Sequence, residues 1–351
     1  MLMWRPLSRL CLRTFTTSTT PCSAKVLREA FKPLSPNEGG TDWYDQGRSI
    51  VDTIVPMFDD NYAFVITVNY TTRVVVDPAE PLVVKKVLDR LHTEVPKGLE
   101  AVLTTHKHDD HTSGNFAFSQ MYGGAVAGGL LHKATGAPSS TQESVIGYKL
   151  KVYGPANDGP IPSMTHPVKQ GDVFHLGATL MINPNETYQN TGAIKVKVIN
   201  TPFHTSGHIS YLLEKVGAPP ALFCGDTLFV GGCGRFFEGN GHDMVKTFNK
   251  FKKLKKNTEV YCGHEYTIDN LKFALSVDPE NVDLIEKYEW AVKRTAEGQP
   301  TIPTTIGDEL KYNPFLRCDT DVIRNAVNAK KTDTEGDVAD KLRDMKNMFK
   351  G

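Results

Sequence analysis

The pattern of hydrophobic positions changes along the chain from short apolar runs to helical periodicity. Between residues 49 and 264, short runs rich in Val, Ile, Leu, Phe and Tyr are separated by polar segments and glycines, which is typical of strands. The predicted strands are 63–68, 73–76, 101–105, 150–153, 194–201, 211–214, 221–224 and 259–262. We therefore expect this part of the chain to form sheets.

Apolar residues at helical spacing predict a second kind of element. The predicted helices are 81–92, 242–254, 267–276, 282–294 and 337–349. In the first helix, the buried face is expected to comprise Leu82, Val83, Val87, Leu88 and Leu91. The region after residue 264 is expected to be helical, so the pattern as a whole predicts an α/β protein with a helical C-terminal region.

Two segments interrupt this pattern. Residues 117–148 contain a Gly/Ala-rich stretch and a small polar stretch, and residues 181–193 are polar without any period. We interpret both as insertions on the surface rather than core elements.

The first 25 residues differ from the rest. They contain Arg5, Arg9, Arg13 and Lys25, many Ser and Thr, and no acidic residue. An arginine-rich, acid-free, amphipathic start predicts a mitochondrial transit peptide, with the matrix as destination and the cytoplasm as a second location. Residues 26–48 contain Pro, Gly and polar groups, and we interpret them as a linker.

Composition narrows the classes of function. The 351 residues include 40 basic and 40 acidic side chains, so the chain has no formal net charge. This balance argues against a protein whose main function is to bind nucleic acid through a polybasic surface. An uninterrupted apolar run of about 18 residues is missing from the sequence, so no membrane partner is expected. The six cysteines form no CxxC pair, which favours reduced, buried thiols over a disulfide framework.

The densest cluster of potential metal ligands lies in the segment TTHKHDDHTSGN, which begins at the end of the predicted strand 101–105. It contains His106, His108, Asp110 and His111 within six positions. Neutral imidazole and carboxylate oxygen are ligands that Zn²⁺ or Fe²⁺ accepts. The segment therefore predicts a metal site whose remaining ligands come from elsewhere in the chain.

Three further donors lie at or just beyond the ends of strands. They are His204 in TPFHTSGH, Asp226 in FCGDTLFVGGCG and His264 in VYCGHEYT. A carboxylate has two oxygens to share between cations, so Asp226 is the natural bridge. The seven donors together suit two metals about 3.5 Å apart. His208 is expected to support the ligands, and the other histidines are expected to be structural or on the surface.

These four segments, in this order, resemble the metallo-β-lactamase superfamily and, within it, the hydroxyacylglutathione hydrolases (glyoxalase II). The phrases GDTLFVGGCG, YCGHEYT and KYNPFLR carry the likeness to the second group. The resemblance implies a four-layer αββα sandwich over residues 49–264, followed by a helical glutathione-binding domain over residues 265–351.

The resemblance also implies roles for individual residues. One metal would be held by His106, His108 and His204, the other by Asp110, His111 and His264, with Asp226 shared. Zinc is the expected metal, with iron as the alternative, and Asp110 would also orient the attacking water. The residues implied to contact the substrate are Arg235, Phe237, His264, Tyr266, Arg343 and Lys346. Arg235 and Phe237 stand where the family carries Lys and Tyr.

The implied reaction is hydrolysis of a glutathione thioester to glutathione and an acid. The implied substrate is S-D-lactoylglutathione, which would yield D-lactate, or a related S-acylglutathione. The enzyme is expected to be a monomer. Two alternatives stay open. One is a mononuclear-iron persulfide dioxygenase of the same fold. The other is a paralogue of low activity with a regulatory or interaction role, which the changes at Arg235 and Phe237 and the two insertions favour.

Overall fold

The computed structural model describes residues 49–69, 72–91, 98–123, 150–177 and 193–351. The predicted transit peptide, the linker and most of both predicted insertions lie outside these residues. Two six-stranded sheets form the centre of the fold. The first comprises β1 (Thr53–Met57), β2 (Asn61–Asn69), β3 (Thr72–Val76), β4 (Gly98–Leu103), β5 (Lys151–Pro155) and β6 (His166–Val168), in that spatial order.

The second sheet draws its strands from the later sequence. It comprises β7 (Val173–Leu176), β8 (Ile194–Asn200), β9 (Ile209–Glu214), β10 (Ala221–Gly225), β13 (Glu259–Cys262) and β14 (Thr304–Thr305). Its spatial order is β14-β13-β10-β9-β8-β7. A short hairpin, β11 (Leu228–Phe229) with β12 (Gly232–Cys233), follows β10. The two-residue strand β14 adds an edge strand from the C-terminal region to this sheet by pairing with β13.

The described residues form nine α-helices. They are α1 (Pro81–Arg90), α2 (Asp109–Thr112), α3 (Asn115–Tyr122), α4 (Gly241–Phe251), α5 (Thr267–Val277), α6 (Val282–Ala296), α7 (Ile306–Tyr312), α8 (Asp321–Ala326) and α9 (Glu335–Met348). Helices α1 and α3 pack on the first sheet, and α4 packs on the second. The predicted four-layer αββα architecture is confirmed.

The alternation of β2 shows why both faces of a sheet are buried. Phe64 and Ile66 point into the core between the sheets, whereas Ala63 and Val65 point towards the helices. Between the sheets, the ring of Phe64 meets those of Phe223 and Tyr261 edge-on, at centroid distances of 5.3 and 5.4 Å. This aromatic contact joins the two sheets below the edge where the candidate ligands lie.

Two predictions about the first sheet's helices were wrong in part. In α1, Leu88 is buried and Val83 and Val87 pack against the core, as predicted. Val84 is buried as well, however, and Leu82 is 70% exposed. Successive helical residues turn by about 100°, so Leu82 points away from the face that Val84 occupies. The predicted insertion 117–148 begins inside α3, where Phe118 is completely buried. The glycine- and alanine-rich sequence that follows it masked this short helix.

Candidate metal centre and cleft

Parallel strand pairs bring the predicted ligands to one edge. Strands β3 and β4 are parallel, as are β10 and β13, so the segments after them emerge at the same ends of their sheets. His106 follows β4, Asp226 follows β10 and His264 follows β13. The structure brings together all seven residues that the sequence singled out as ligands.

Glycines before two ligands permit this close approach. Gly225, directly before Asp226, has a φ of +46°, and a Cβ there would lie 2.4 Å from Oγ1 of Thr105. At Gly263, before His264, a Cβ would lie 2.6 Å from Oδ1 of Asp226. A larger residue at either position would push a ligand loop outwards.

The first group of donors consists of three ring nitrogens. Nδ1 of His108 lies 3.1 Å from Nε2 of His106 and 3.0 Å from Nε2 of His204. His106 and His204 are buried, and His108 is partly buried. Three imidazole nitrogens pointing at one centre cannot all donate to one another, but they can all donate electron pairs to one cation.

The second group consists of Asp110, His111 and His264. Nε2 of His264 lies 3.3 Å from Oδ2 of Asp110, and Nε2 of His111 lies 3.7 Å from the same oxygen. Asp226 stands between the groups. Its Oδ2 is 3.3 Å from Nε2 of His204 and 3.4 Å from Nε2 of His264, while its Oδ1 is 3.3 Å from Nε2 of His111.

Two buried atoms show that the cluster suits a cation. Nε2 of His111 and Oδ1 of Asp226 are buried and, although they lie 3.3 Å apart, neither makes a hydrogen bond within the described residues. Burying such atoms without a partner is costly, so an unpaired nitrogen and an unpaired carboxylate oxygen facing one centre fit metal ligands. The cluster contains three groupings of three residues each, and within each grouping the donor atoms lie within 4.8 Å of one another. The residues present thus fit divalent metal ions.

Charge within the cluster separates its histidines. Burial lowers the pKa of His106 and His204. Burial also disfavours the charged form of His111 and His264, but the Asp226 carboxylate outweighs it, raising the pKa of His111 to about 10 and that of His264 well above its ordinary value. Burial opposes the ionisation of Asp226, yet His264 and His111 hold its pKa well below the usual range. The carboxylates around the second group, Asp226 above all, therefore stabilise positive charge there.

Three polar residues that hold the ligands were missed from the sequence. Asp77 has its Oδ2 3.1 Å from Nδ1 of His111, and Asp60 has its Oδ1 2.7 Å from Nδ1 of His264. Asn61 donates its Nδ2 to Oδ2 of Asp110 at 3.0 Å. Asp77 directly follows β3, so its place at a strand end was the available signal. Asp60 ends the turn before β2 and Asn61 is the first residue of that strand, and neither has a comparable sequence signal.

The remaining histidines lie around or away from the cluster. The ring of His208 stacks on that of His106 at 4.6 Å, and its Nε2 accepts from the backbone N–H of Asp226 at 3.3 Å. His166 and His175 lie on β6 and β7. His92 and His132 lie outside the described residues. The four cysteines within the described residues are unpaired and buried, as predicted.

A cleft of about 810 Å³ opens above the donors, between the αββα layers and the C-terminal helices. The predicted substrate residues all line it: Arg235, Phe237, His264, Tyr266, Arg343 and Lys346. Phe237 is 61% exposed, and its ring meets those of His204 and His108 edge-on at 5.2 and 5.8 Å. The Tyr266 ring stacks on His264 at 4.7 Å, and burial raises the pKa of its hydroxyl to about 12. One aromatic ring thus covers each donor group.

Two of the basic residues of α9, Arg343 and Lys346, differ in their surroundings. The Arg343 guanidinium is buried and donates from Nη1 to the Cys233 carbonyl and from Nε to Oδ1 of Asn347, both at 3.0 Å. Lys346 donates from Nζ to the Asp269 carbonyl at 2.6 Å, and burial lowers its pKa to about 8. Arg343 therefore anchors α9 to the end of β12, while Lys346 carries its charge at the cleft wall.

Comparison with known proteins gives the class first. A family model described as the metallo-beta-lactamase superfamily matches residues 57–264, and a model described as the hydroxyacylglutathione hydrolase C-terminus matches residues 265–349. Together with the two-sheet fold and the histidine and aspartate cluster at its edge, this match places the protein in the metallo-β-lactamase superfamily.

Curated relatives narrow the class to a family. A hydroxyacylglutathione hydrolase from Synechococcus sp. (strain JA-3-3Ab) is 37% identical over 84% of this chain and 98% of its own length. The cytoplasmic hydroxyacylglutathione hydrolase of Arabidopsis thaliana is 36% identical over 85% of this chain and 98% of its own length. The chain belongs to the hydroxyacylglutathione hydrolase family and is an enzyme, which confirms the resemblance inferred from the motifs.

Among solved structures, a metallo-beta-lactamase from Staphylococcus aureus is similar with a TM-score of 0.47 and 19% identity, covering 78% of this chain and 64% of its own. The described helices include none that is both long and apolar enough to cross a membrane.

Proposed function

We propose that this enzyme hydrolyses thioesters of glutathione, with S-D-lactoylglutathione as the model substrate, to glutathione and D-lactate. Water supplies the new C–O bond, the C–S bond breaks, and the thiol leaves with the proton. The observation that carries the proposal is the convergence of seven donor side chains, five of which line the floor of a cleft whose far wall is the C-terminal region. The names of the curated relatives support the same reaction.

The proposed cofactor is a pair of divalent cations, zinc in preference to iron. His106, His108 and His204 would hold one, and Asp110, His111 and His264 would hold the other. Asp226 would serve both, because its Oδ2 lies between His204 of the first group and His264 of the second, while its Oδ1 faces His111. When bound, such cations polarise a carbonyl oxygen and lower the pKa of water. Imidazole and carboxylate donors without any thiolate suit zinc and iron alike, so the preference for zinc rests on the family.

The chain's own residues orient the reactants. Asn61 fixes the carboxylate of Asp110 by donating to its Oδ2 and to its backbone carbonyl, at 3.0 and 3.2 Å. Asp110, partly exposed at the cleft floor, is thereby placed to orient water. The leaving group is a thiolate with a pKa of about 8.5, so departure needs no strong acid from the protein.

Substrate recognition is assigned to the cleft walls. Arg235 and Lys346 would attract the carboxylates of the glutathione portion, and Tyr266 and Phe237 would flank the thioester. Arg343 would act chiefly by holding α9 in place, since two of its donor atoms are engaged within the protein. The Arg and Phe at positions 235 and 237 keep one charge and lose one hydroxyl relative to the family pattern, so we expect an altered affinity with the reaction retained.

We further propose that the protein acts as a monomer and that residues 1–25 direct it to mitochondria. Fusing residues 1–48 to a fluorescent protein tests the second point, with mitochondrial fluorescence expected. The same fusion with Arg5, Arg9 and Arg13 changed to Gln should remain in the cytoplasm. Uniform fluorescence from the unchanged fusion would contradict the targeting proposal.

The decisive experiment combines metal analysis with kinetics on protein lacking residues 1–25. We expect about two divalent cations per chain and hydrolysis of lactoylglutathione with a kcat/KM in the ordinary enzymatic range of about 10⁴ M⁻¹s⁻¹ or above. A single iron together with oxygen consumption on glutathione persulfide would instead indicate the dioxygenase. Two bound cations with a kcat/KM many orders lower would indicate the paralogue of low activity.

A further inference from the structure

The loops that carry the first donor group have little regular structure of their own. His106 and His108 lie between β4 and α2, and His204 lies between β8 and β9. Three histidines on two separate loops can meet one cation only if the loops keep a fixed spacing. Two carboxylates from other parts of the chain, Asp158 and Glu238, join these loops to each other.

Asp158 makes the buried connection. It follows β5 and is 1% exposed. Its Oδ2 accepts from the backbone N–H of Lys107 at 2.8 Å, and its Oδ1 accepts from the backbone N–H of Gly207 at 2.9 Å. The loops are in close contact here, since a Cβ on Gly207 would lie 2.4 Å from the Asn157 carbonyl oxygen. One carboxylate therefore binds the residue between His106 and His108 and the loop that follows His204.

Glu238 makes a second connection between the same loops, on the surface. Its Oε1 accepts from Nζ of Lys107 at 2.5 Å, and its Oε2 accepts from the backbone N–H of Ser206 at 2.8 Å. Its own backbone N–H donates to the Phe203 carbonyl at 3.4 Å. The loop that contains Glu238 also contains Arg235 and Phe237, two residues of the cleft wall.

We propose that Asp158 and Glu238 are positioning residues that clamp the loops of His106, His108 and His204 together, and that Glu238 ties the wall at Arg235 and Phe237 to the same clamp. Asp158 sets the spacing of the histidines, because both of its oxygens are buried against backbone donors. Glu238 sets the place of the substrate wall, because it connects three loops from the outside. This inference rests on the proposed metal binding and thioester hydrolysis.

Asp158→Asn tests the buried half of the clamp. The amide keeps the shape but turns one acceptor into a donor that faces a backbone N–H. We expect one of the two cation dissociation constants, measured by competition with a chromophoric chelator, to rise by about 10- to 100-fold, while the other stays within threefold. Asp172→Asn is the matched control, because Oδ2 of Asp172 also accepts from a backbone N–H, that of Lys169 at 2.9 Å, away from the cleft.

A merely structural role for Asp158 would affect the protein differently. Urea unfolding of the metal-free variant and its parent separates the two roles, since the clamp predicts a larger change in cation affinity than in metal-free stability. If a folded Asp158→Asn protein bound both cations with the same dissociation constants as the parent protein, the buried half of the proposal would be overturned. A parent protein that binds no pair of cations would overturn the proposed function instead.

Glu238→Gln tests the exposed half and is expected to fold irrespective of the outcome at Asp158, because both contacts that it changes, with Nζ of Lys107 and with the Ser206 backbone N–H, lie on the surface. We expect KM for lactoylglutathione to rise about two- to fivefold, with kcat and cation content unchanged. Glu214→Gln is the matched control, since the ion pair of Glu214 with Lys197, 2.8 Å long, has similar exposure. Identical KM values for the two variants would show that Glu238 does not position the substrate wall.

Discussion

The two donor groups share Asp226 but rest on different foundations. Behind the first group, Nδ1 of His106 meets the Thr105 hydroxyl at 3.0 Å, and Nδ1 of His204 meets the Arg235 carbonyl at 3.1 Å. Both partners are neutral. Behind the second group, His111 and His264 each face a carboxylate, those of Asp77 and Asp60. The difference shows that similar ligand sets can stand in different electrostatic settings.

This difference in charge has a consequence for metal binding. A carboxylate behind an imidazole raises its basicity and fixes its orientation, which strengthens its bond to a cation. The second group also contains the Asp110 carboxylate, whereas the first contains imidazoles only. We therefore expect the second group to fill first and to release its cation last.

Asp226→Ala should have the largest effect, because this residue lies between both groups. We expect both cations to be lost or weakly held and kcat/KM to fall by about 10³-fold or more. Metal analysis of dialysed protein, followed by kinetics at saturating metal, checks this expectation. Full activity in a variant of known metal content would show that Asp226 is not shared.

Asp60→Asn changes the surroundings of the second donor group only. Losing the charge behind His264 should weaken the tighter of the two binding steps by about 10- to 100-fold and leave the weaker step unchanged. Chelator competition measures both steps. Asp59→Asn is the control, since Asp59 is the exposed neighbour of Asp60. A change in the weaker binding step instead would show that the second group fills last, contrary to the prediction.

Proton release should distinguish the groups at pH 7. In the cation-free protein, the raised pKa values of His111 and His264 keep both rings protonated, whereas the lowered values of His106 and His204 keep theirs neutral. Binding at the second group must expel protons, so its affinity should rise with pH up to about 10. Binding at the first should change little above about pH 6.5.

An indicator dye in weakly buffered solution measures this release during a metal titration. We expect acidification with the first equivalent of metal and little with the second. Equal release in both steps would mean that the two groups have the same proton affinity.

Phe237→Tyr should have the smallest effect. It restores a hydroxyl of the family pattern next to the first group, where the ring packs on His204 and His108. We expect KM for lactoylglutathione to fall about two- to fivefold without a change in metal affinity, as one additional hydrogen bond allows. Steady-state kinetics over a range of substrate concentrations measures it, and a changed cation affinity would show that position 237 acts on the metal ligands.

Local patterns predicted the longer elements well. The helices near residues 81–92, 242–254 and 282–294 and the strand Glu259–Cys262 are found where periodicity put them. Very short elements were missed: β6 spans three residues and β14 spans two, too few for any period to be visible. The eight-residue helix α3 was missed because the polar loop before it and the glycines after it obscured its roughly two turns around Phe118.

The sequence by itself determined the fold class and predicted the seven candidate donors that the structure brings together, because HxHxDH and the three later segments place ligand-type residues at strand ends in a recognisable order. The tertiary structure decided which outer residue stands behind each ligand. Asp60 meets His264 across 204 positions of sequence, and Glu238 meets Lys107 across 131. Such pairings depend on how the two sheets bring distant loops to one edge, and no local pattern of residues encodes a contact of that range.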